Sequence, residues 1–328
     1  MPRIASALVA AAVTLAACGG SPSSGGDAKA TLVGAFEELR AAAGTTVTLS
    51  LESTPESLQA MARSEGDDMS PSDAHKILNS SITISGNDEK EPAAAAARIS
   101  VNVAGSDAIE LRMVDRVLYV RADVRRLLAS LGEDAAMADA FARRAAASGL
   151  DFVDPLVNGR WIALEGMEQA LGGTGASGAS AASQRKAVDE LARAVHASTT
   201  VTSEGEDGNG EHFVATISLR DAAESLRSAA AGLQQGVPAA PVPSAEAVPD
   251  EDVNLDVWVR AGRPTRIEFD LLQLAGATGE QAPEGVERLT LRADFEEFSG
   301  EVAPPADAVP VDVRELWQGA AGTMVPAP

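Results

Sequence analysis

"ARISVNVAGSDAIELRMVDRVLYVRAD", residues 97–123, decides the fold because its apolar residues recur at every second position. The apolar positions of its first two segments are Ile99, Val101 and Val103, then Ile109, Leu111 and Met113. A period of two is typical of a β-strand with one covered face. Gly105-Ser106 and Asp115-Arg116 are turn candidates between the segments, so the stretch predicts a meander of antiparallel strands.

The same alternation extends outward in both directions along the chain. It places Val47, Leu49 and Leu51 together, then Ile82 and Ile84, and it returns after residue 199, where "EDGNGE" (206–211) is a strong hairpin turn. Three further strands are predicted towards the end, in "VNLDVWVRAG" (253–262), "PTRIEFDLLQLAG" (264–276) and "ERLTLRADFEEFSG" (287–300). About ten strands result, nearly all apolar on one side only.

Several segments between the strands have the 3.6-residue period of helices. Residues 30–44 present Leu32, Val33, Phe36 and Leu39 on one face. Ser70 opens a capping box with proline at the next position, and Asp123 caps a helix that runs through Leu131. Strands covered on one side only, together with such helices, predict an α+β fold in which helices gather on one face of a curved antiparallel sheet.

The N-terminal segment reads as an export signal for a lipid-anchored protein. Residues 1–17 carry one positive charge, at Arg3, before an apolar run that is too short to span a bilayer. Leu15-Ala16-Ala17-Cys18 is similar to the lipobox of bacterial lipoproteins, in which the cysteine is acylated and becomes the new N-terminus. We therefore expect lipidation at Cys18, followed by a flexible tether over residues 18–29. The alternative is a signal peptide that is cleaved elsewhere.

Composition argues against nucleic-acid binding and against an internal disulfide. The formal charge of −22 repels phosphate backbones, so we expect no nucleic-acid binding. Cys18 is the only cysteine, so no internal disulfide can form and the fold must depend on its core.

No catalytic or metal-binding motif stands out. None of the three histidines, His75, His196 and His212, has a second histidine or a cysteine at ligand spacing. The acidic residues of "GEDGNGEH" (205–212) suit a hairpin turn better than a calcium loop, since the distal glutamate of an EF-hand is missing. We therefore expect no enzyme activity and no cofactor.

A family resemblance rests on "NLDVWVRAGRPTRIEFD" and "RVLYVRADV". The first segment resembles the late strand pair of the LppX/LprG-type mycobacterial lipoproteins and, more distantly, that of the LolA/LolB lipoprotein carriers. The matching positions are Asp256, Trp258, Gly262, Pro264 and Arg266. Over roughly residues 30–300, the resemblance implies a half-barrel sheet with helices packed on its concave face. It also implies acyl chains held in that concavity and no catalytic residues.

The functional expectation is a cell-envelope lipoprotein, anchored to the membrane through Cys18, that binds a lipid or other amphiphile in an apolar cavity and transports it. The expected lining residues are Val47, Leu49, Leu51, Ile82, Ile84, Val101, Leu111, Ile217, Val257, Phe269 and Leu291. The residues alone leave a filled core as an open alternative, in which the protein is a non-catalytic scaffold or partner of an envelope complex. Residues 301–328 are expected to be an irregular tail.

Overall fold

A computed structural model describes residues 27–87, 96–166, 199–221, 250–277 and 281–313. The helices are α1 (Asp27–Ala41), α2 (Pro55–Ser64), α3 (Pro71–Leu78), α4 (Val124–Leu131), α5 (Ala136–Ala147), α6 (Val153–Val157) and α7 (Leu272–Ala277). The strands are β1 (Gly44–Ser53), β2 (Ser81–Asn87), β3 (Ala97–Val103), β4 (Ser106–Val114), β5 (Val117–Ala122), β6 (Ile162–Glu165), β7 (Thr199–Asp207), β8 (Gly210–Ser218), β9 (Asp252–Arg260), β10 (Arg263–Asp270), β11 (Leu289–Glu297) and β12 (Val309–Asp312). The signal peptide, Cys18 and His196 lie outside the described residues.

The predicted α+β class is confirmed. The strands pair antiparallel, apart from the parallel pair formed by β6 and β12, and helices pack against them. The chain divides into two units. The first comprises residues 1–42, 52–67 and 175–296, and the second comprises residues 43–51, 68–174 and 297–328.

The first unit has a closed hydrophobic core. Its strands lie in the order β11-β10-β9-β8-β7, and α1 packs across β10 and β7. The buried side of α1 carries Leu32 and Phe36, as its helical period predicts. Across the strands, Phe213 is paired with Val257, which is paired with Ile267, and all three side chains are buried. Directly paired residues of antiparallel strands point to the same face, so these side chains form one layer of the core.

One glycine fixes the hairpin between β7 and β8. Gly210 has a φ of 135°, and a Cβ atom placed on it would lie 2.5 Å from the carbonyl oxygen of Val259 in the neighbouring strand. A side chain is excluded there by both conformation and contact. The hairpin turn predicted at residues 206–211 is confirmed.

In the second unit the strands lie in the order β12-β6-β5-β4-β3-β2-β1. Asp115 and Arg116, which join β4 to β5, both have positive φ values of 49° and 66°, as a type I′ hairpin requires. Ser70 and Asp123 accept the predicted capping hydrogen bonds at the starts of α3 and α4. Helices α4, α5 and α6 share a small cluster of their own that is built mainly from alanine and valine.

Two predicted boundaries need correction. Helix α1 begins at Asp27, so the predicted tether over residues 18–29 overlaps its first turn. The predicted irregular tail over residues 301–328 contains β12, in which Val309 pairs with Ile162 of β6. Pro310 disfavours a strand in sequence-based reasoning, but it is tolerated here because β12 is the outermost strand of this order.

Candidate functional site

The strand register of the second unit gathers apolar side chains on one side of β1–β5. Val47 is paired with Ile84 and Leu49 with Ile82, and the same rows continue across β3, β4 and β5. We call this set the apolar face; its members are Val47, Leu49, Ile82, Ile84, Ile99, Val101, Leu111, Met113, Leu118 and Val120. It contains no charged residue, as the alternation of the sequence predicts.

The apolar face is left partly open. Ile82 is 41% exposed, Ile84 is 37% exposed and Met113 is 38% exposed. The other members are half-buried, so none of the ten side chains is fully covered. Large apolar side chains grouped in this way on an open surface are unusual unless something binds to them.

The polar side of the same strands is the better covered one. Thr46 bonds to Ser85 over 3.1 Å, and Thr48 lies 3.3 Å from Thr83, oxygen to oxygen. Ser85 is buried. The second unit therefore inverts the usual arrangement, in which the apolar side of a sheet is the closed one.

A buried carboxylate organises this polar side. Glu110 is only 3% exposed, and its oxygens accept from the guanidinium groups of Arg98, Arg112 and Arg121 at 2.8–2.9 Å. Arg112 and Arg121 also lie over the ring of Trp161, at 4.6 and 5.2 Å from its centroid. One carboxylate thus links β3, β4 and β5 and neutralises part of a cationic cluster.

Replacing Glu110 with glutamine should destabilise the second unit by about 2–3 kcal/mol. Breaking a buried ion pair costs about 3–5 kcal/mol, and partial solvation of the three guanidinium groups reduces that cost. Urea denaturation at low and high salt is the measurement, and added salt should recover part of the loss by screening the arginines. Glu133→Gln, at an exposed position, is the matched control. Equal stability of the two variants would contradict the prediction.

The predicted lining residues divide between the two units. Val47, Leu49, Leu51, Ile82, Ile84, Val101 and Leu111 lie on strands of the second unit and are half-buried or exposed. In the first unit, Ile217, Val257 and Phe269 are buried in the closed core, and Leu291 is half-buried. The three buried residues have almost no surface left for a ligand, because the unit's own side chains fill that space.

Sequence reasoning missed a ring stack on the polar side of the first unit. His212 and Trp258 are register partners, and their rings stack with centroids 4.5 Å apart. Nε2 of His212 lies 2.8 Å from Oδ1 of Asp256. The indole N–H of Trp258, followed by the backbone N–H of Asn209, holds the pKa of Asp207 below its ordinary value. Alternation within the two strands places His212 and Trp258 on polar sides, but only the register brings them together.

A cleft of about 570 Å³ lies beside the turns of the β7–β8 and β9–β10 hairpins. Its side chains include Glu206, Asp207, Glu211 and Arg260. Both oxygens of Asp207 are already engaged, by Asn209 and by Trp258. This polar cleft does not have the apolar walls that a hydrocarbon ligand requires.

Among the residues that the structure describes, no three His, Cys, Asp or Glu side chains are grouped so that they could hold a metal ion. His75 is exposed on α3. Within the same described ranges, every helix is too short or too polar to cross a membrane.

Comparison with solved structures finds a likeness to the crystal structure of the Mycobacterium tuberculosis lipoprotein LppX. The sequences are 10% identical, the match covers 84% of this chain and 96% of that chain, and the TM-score is 0.35. No protein-family model matches the chain. No curated protein matches it either.

Proposed function

We propose that the protein is a lipid-anchored protein of the cell envelope that binds the hydrocarbon part of a lipid or other amphiphile on the apolar face. The observation that carries the proposal is the solvent exposure of large aliphatic side chains on the apolar face, above all those of Ile82 and Ile84. Since the face contains no charged side chain, the part of the ligand that lies on it is expected to be uncharged.

The driving force is transfer of apolar surface out of water. Each ligand methylene that is fully removed from water contributes about 0.8 kcal/mol of binding free energy. Ten such methylenes therefore supply about 8 kcal/mol before the cost of immobilising the ligand. Apolar surface of the protein is buried together with that of the ligand, because the exposed parts of Ile82, Ile84 and Met113 are removed from water in the same step. Such binding needs no catalytic group, and movement between membranes would follow from release of the ligand at a second surface.

The anchor belongs to the same proposal. Acylation of Cys18 would hold the protein on the extracytoplasmic side of the cell membrane, close to a source of lipid. From Cys18 to the start of α1 there are nine residues, a reach of about 30 Å when fully extended. The protein would therefore work within a few nanometres of the bilayer.

Replacing Ile84 with glutamate should weaken binding of a fluorescent fatty acid at least about tenfold, because a carboxylate would have to be covered by hydrocarbon. Since Ile84 is already 37% exposed, the fold should tolerate the change. The measurement is a titration of the full chain carrying Cys18→Ser, together with native mass spectrometry for lipid that co-purifies.

The matched control is Thr83→Glu, one residue away on the opposite side of β2. It adds the same charge to the same strand and should leave probe affinity within about twofold of the parent. Equal losses in the two variants would contradict binding on the apolar face. A parent protein that carries no lipid and ignores the probe would instead favour the scaffold function.

A further inference from the structure

Three arginine side chains form a compact cationic group on the polar side of β3, β4 and β5. Arg98 and Arg112 are register partners, and their Nε atoms lie 2.8 and 2.9 Å from the same oxygen of Glu110, Oε1. Nη2 of Arg121 lies 2.8 Å from the other oxygen, Oε2. We call Arg98, Arg112 and Arg121 the arginine cluster. Such a concentration of positive charge is unexpected in a chain with 26 basic and 48 acidic residues.

The carboxylate of Glu110 balances only one of the three positive charges. The other acidic residues on or directly beside β3–β6 are Asp107, Asp115, Asp123 and Glu165. In the described part of the chain, Glu110 alone makes ion pairs with the arginine cluster. Two positive charges therefore have no carboxylate in contact with them, and like charges on directly paired residues such as Arg98 and Arg112 repel each other.

The guanidinium groups of the arginine cluster keep most of their hydrogen-bond donors open. Each group has five N–H bonds. The contacts within the described residues engage Nε of Arg98, Nε and Nη1 of Arg112 and Nη2 of Arg121. The three side chains are 44%, 25% and 37% exposed, in chain order, so their remaining N–H groups are accessible to a ligand from solvent.

The positions of two of these guanidinium groups are fixed before any ligand binds. Those of Arg112 and Arg121 lie over the ring of Trp161, which is itself buried. Nη1 of Arg112 also donates to the carbonyl oxygen of Ala303 over 3.0 Å. Side chains that are stacked and hydrogen-bonded in this way lose little further freedom on binding, which favours affinity for a ligand of matching charge.

We propose that the arginine cluster binds a phosphate group, either free or on the headgroup of a lipid. Guanidinium groups match phosphate oxygens bidentately, and a phosphate monoester offers three acceptor oxygens to neighbouring arginines. Its charge of about −2 at neutral pH would balance the two positive charges that Glu110 leaves. Strand register places the arginine cluster on the opposite side of β3–β5 from the apolar face, so this inference does not depend on hydrocarbon binding there.

Isothermal titration calorimetry with inorganic phosphate tests the proposal on the full chain carrying Cys18→Ser. Ionic strength is held constant with sodium chloride, so that general screening does not change during the titration. We expect saturable binding of one phosphate per chain. Arg98→Gln should weaken it about tenfold, because charge-assisted hydrogen bonds are lost. Arg98→Lys should recover part of the loss, since it keeps the charge but not the planar fork.

The matched control is Arg143→Gln, which removes the same charge at an exposed position of α5 and should leave phosphate affinity within about twofold of the parent. Absence of saturable binding would overturn the proposal, as would equal affinity of Arg98→Gln and the parent, or equal losses in Arg98→Gln and Arg143→Gln. If circular dichroism shows that Arg98→Gln is unfolded, Arg121→Gln repeats the test. Fatty-acid binding by the Arg98→Gln variant should be unchanged, and it reports separately on the apolar face.

Co-sedimentation with phosphatidylcholine vesicles that contain phosphatidic acid distinguishes the two sources of phosphate. For a lipid headgroup, the parent chain should sediment with these vesicles, inorganic phosphate should compete, and Arg98→Gln should lower the bound fraction about tenfold. For free phosphate, calorimetric binding should persist while the vesicles retain no more protein than phosphatidylcholine alone. Either result supports a phosphate site and identifies its source. Vesicle binding that neither inorganic phosphate nor Arg98→Gln reduces would contradict the lipid source.

Discussion

Replacing Phe213 with alanine is expected to cost about 4 kcal/mol of folding free energy, because truncation of a buried phenylalanine typically costs about 3–5 kcal/mol. Phe213 is 0% exposed and lies in one layer of the core with its cross-strand neighbours Val257 and Ile267. Alanine would leave a cavity that the paired strands cannot close, since their backbones are held by continuous hydrogen bonding. Against a total stability of about 5–15 kcal/mol, such a loss is large.

Urea denaturation followed by circular dichroism measures this loss. Val214→Ala is the control, since Val214 is the next residue of β8, faces the other side and is half-buried. We expect it to cost about 1 kcal/mol or less. If Phe213→Ala were as stable as the control, the first unit would not have the closed core described above.

The second large effect is expected near the N-terminus, at Cys18. Cys18→Ser should abolish stable membrane attachment, because an acyl chain contributes about 0.8 kcal/mol per buried methylene and serine cannot form the thioether. Fractionation of cells, with washes at high salt, separates an anchored protein from one that is only adsorbed. The intact mass of the wild-type chain should show cleavage before Cys18 and a mass increase from the lipid.

Ser21→Ala, three residues further along, is the control for the anchor and should remain in the membrane fraction. Wild-type protein that begins at another residue, or that carries no lipid, would show that Cys18 is not the anchor. If the Cys18→Ser chain also kept its apolar segment 4–17, the mass would reveal it, and that retained segment would account for any residual attachment.

Local sequence predicted the strands and turns well because each of those signals acts over a few residues. The alternation within residues 97–123 became β3, β4 and β5, and Asp115-Arg116 adopted the positive φ values of a hairpin turn. The short strand β12 was missed because its four residues include a proline and its pairing partner, β6, lies far away in sequence.

The burial of the predicted lining residues could not be derived from the local sequence pattern. Ile84 and Ile217 occupy equivalent places in alternating strands, yet Ile84 is open to solvent and Ile217 is buried. Alternation states which side of a strand is apolar, but it does not state whether a helix will cover that side. In the first unit, α1 packs against β10 and β7, and its Lys29 donates to the carbonyl oxygen of Thr199, the register partner of Ile217.

By itself, the sequence determined the α+β class, the apolar and polar sides of the strands and several caps and turns, because those depend on side-chain period and on the conformational preferences of single residues. Only the tertiary structure decided that Glu110 gathers three arginines, that His212 stacks on Trp258 and that Phe141 is left facing solvent. Each of these depends on strand register or on helix orientation, which are set by packing between segments far apart in the chain.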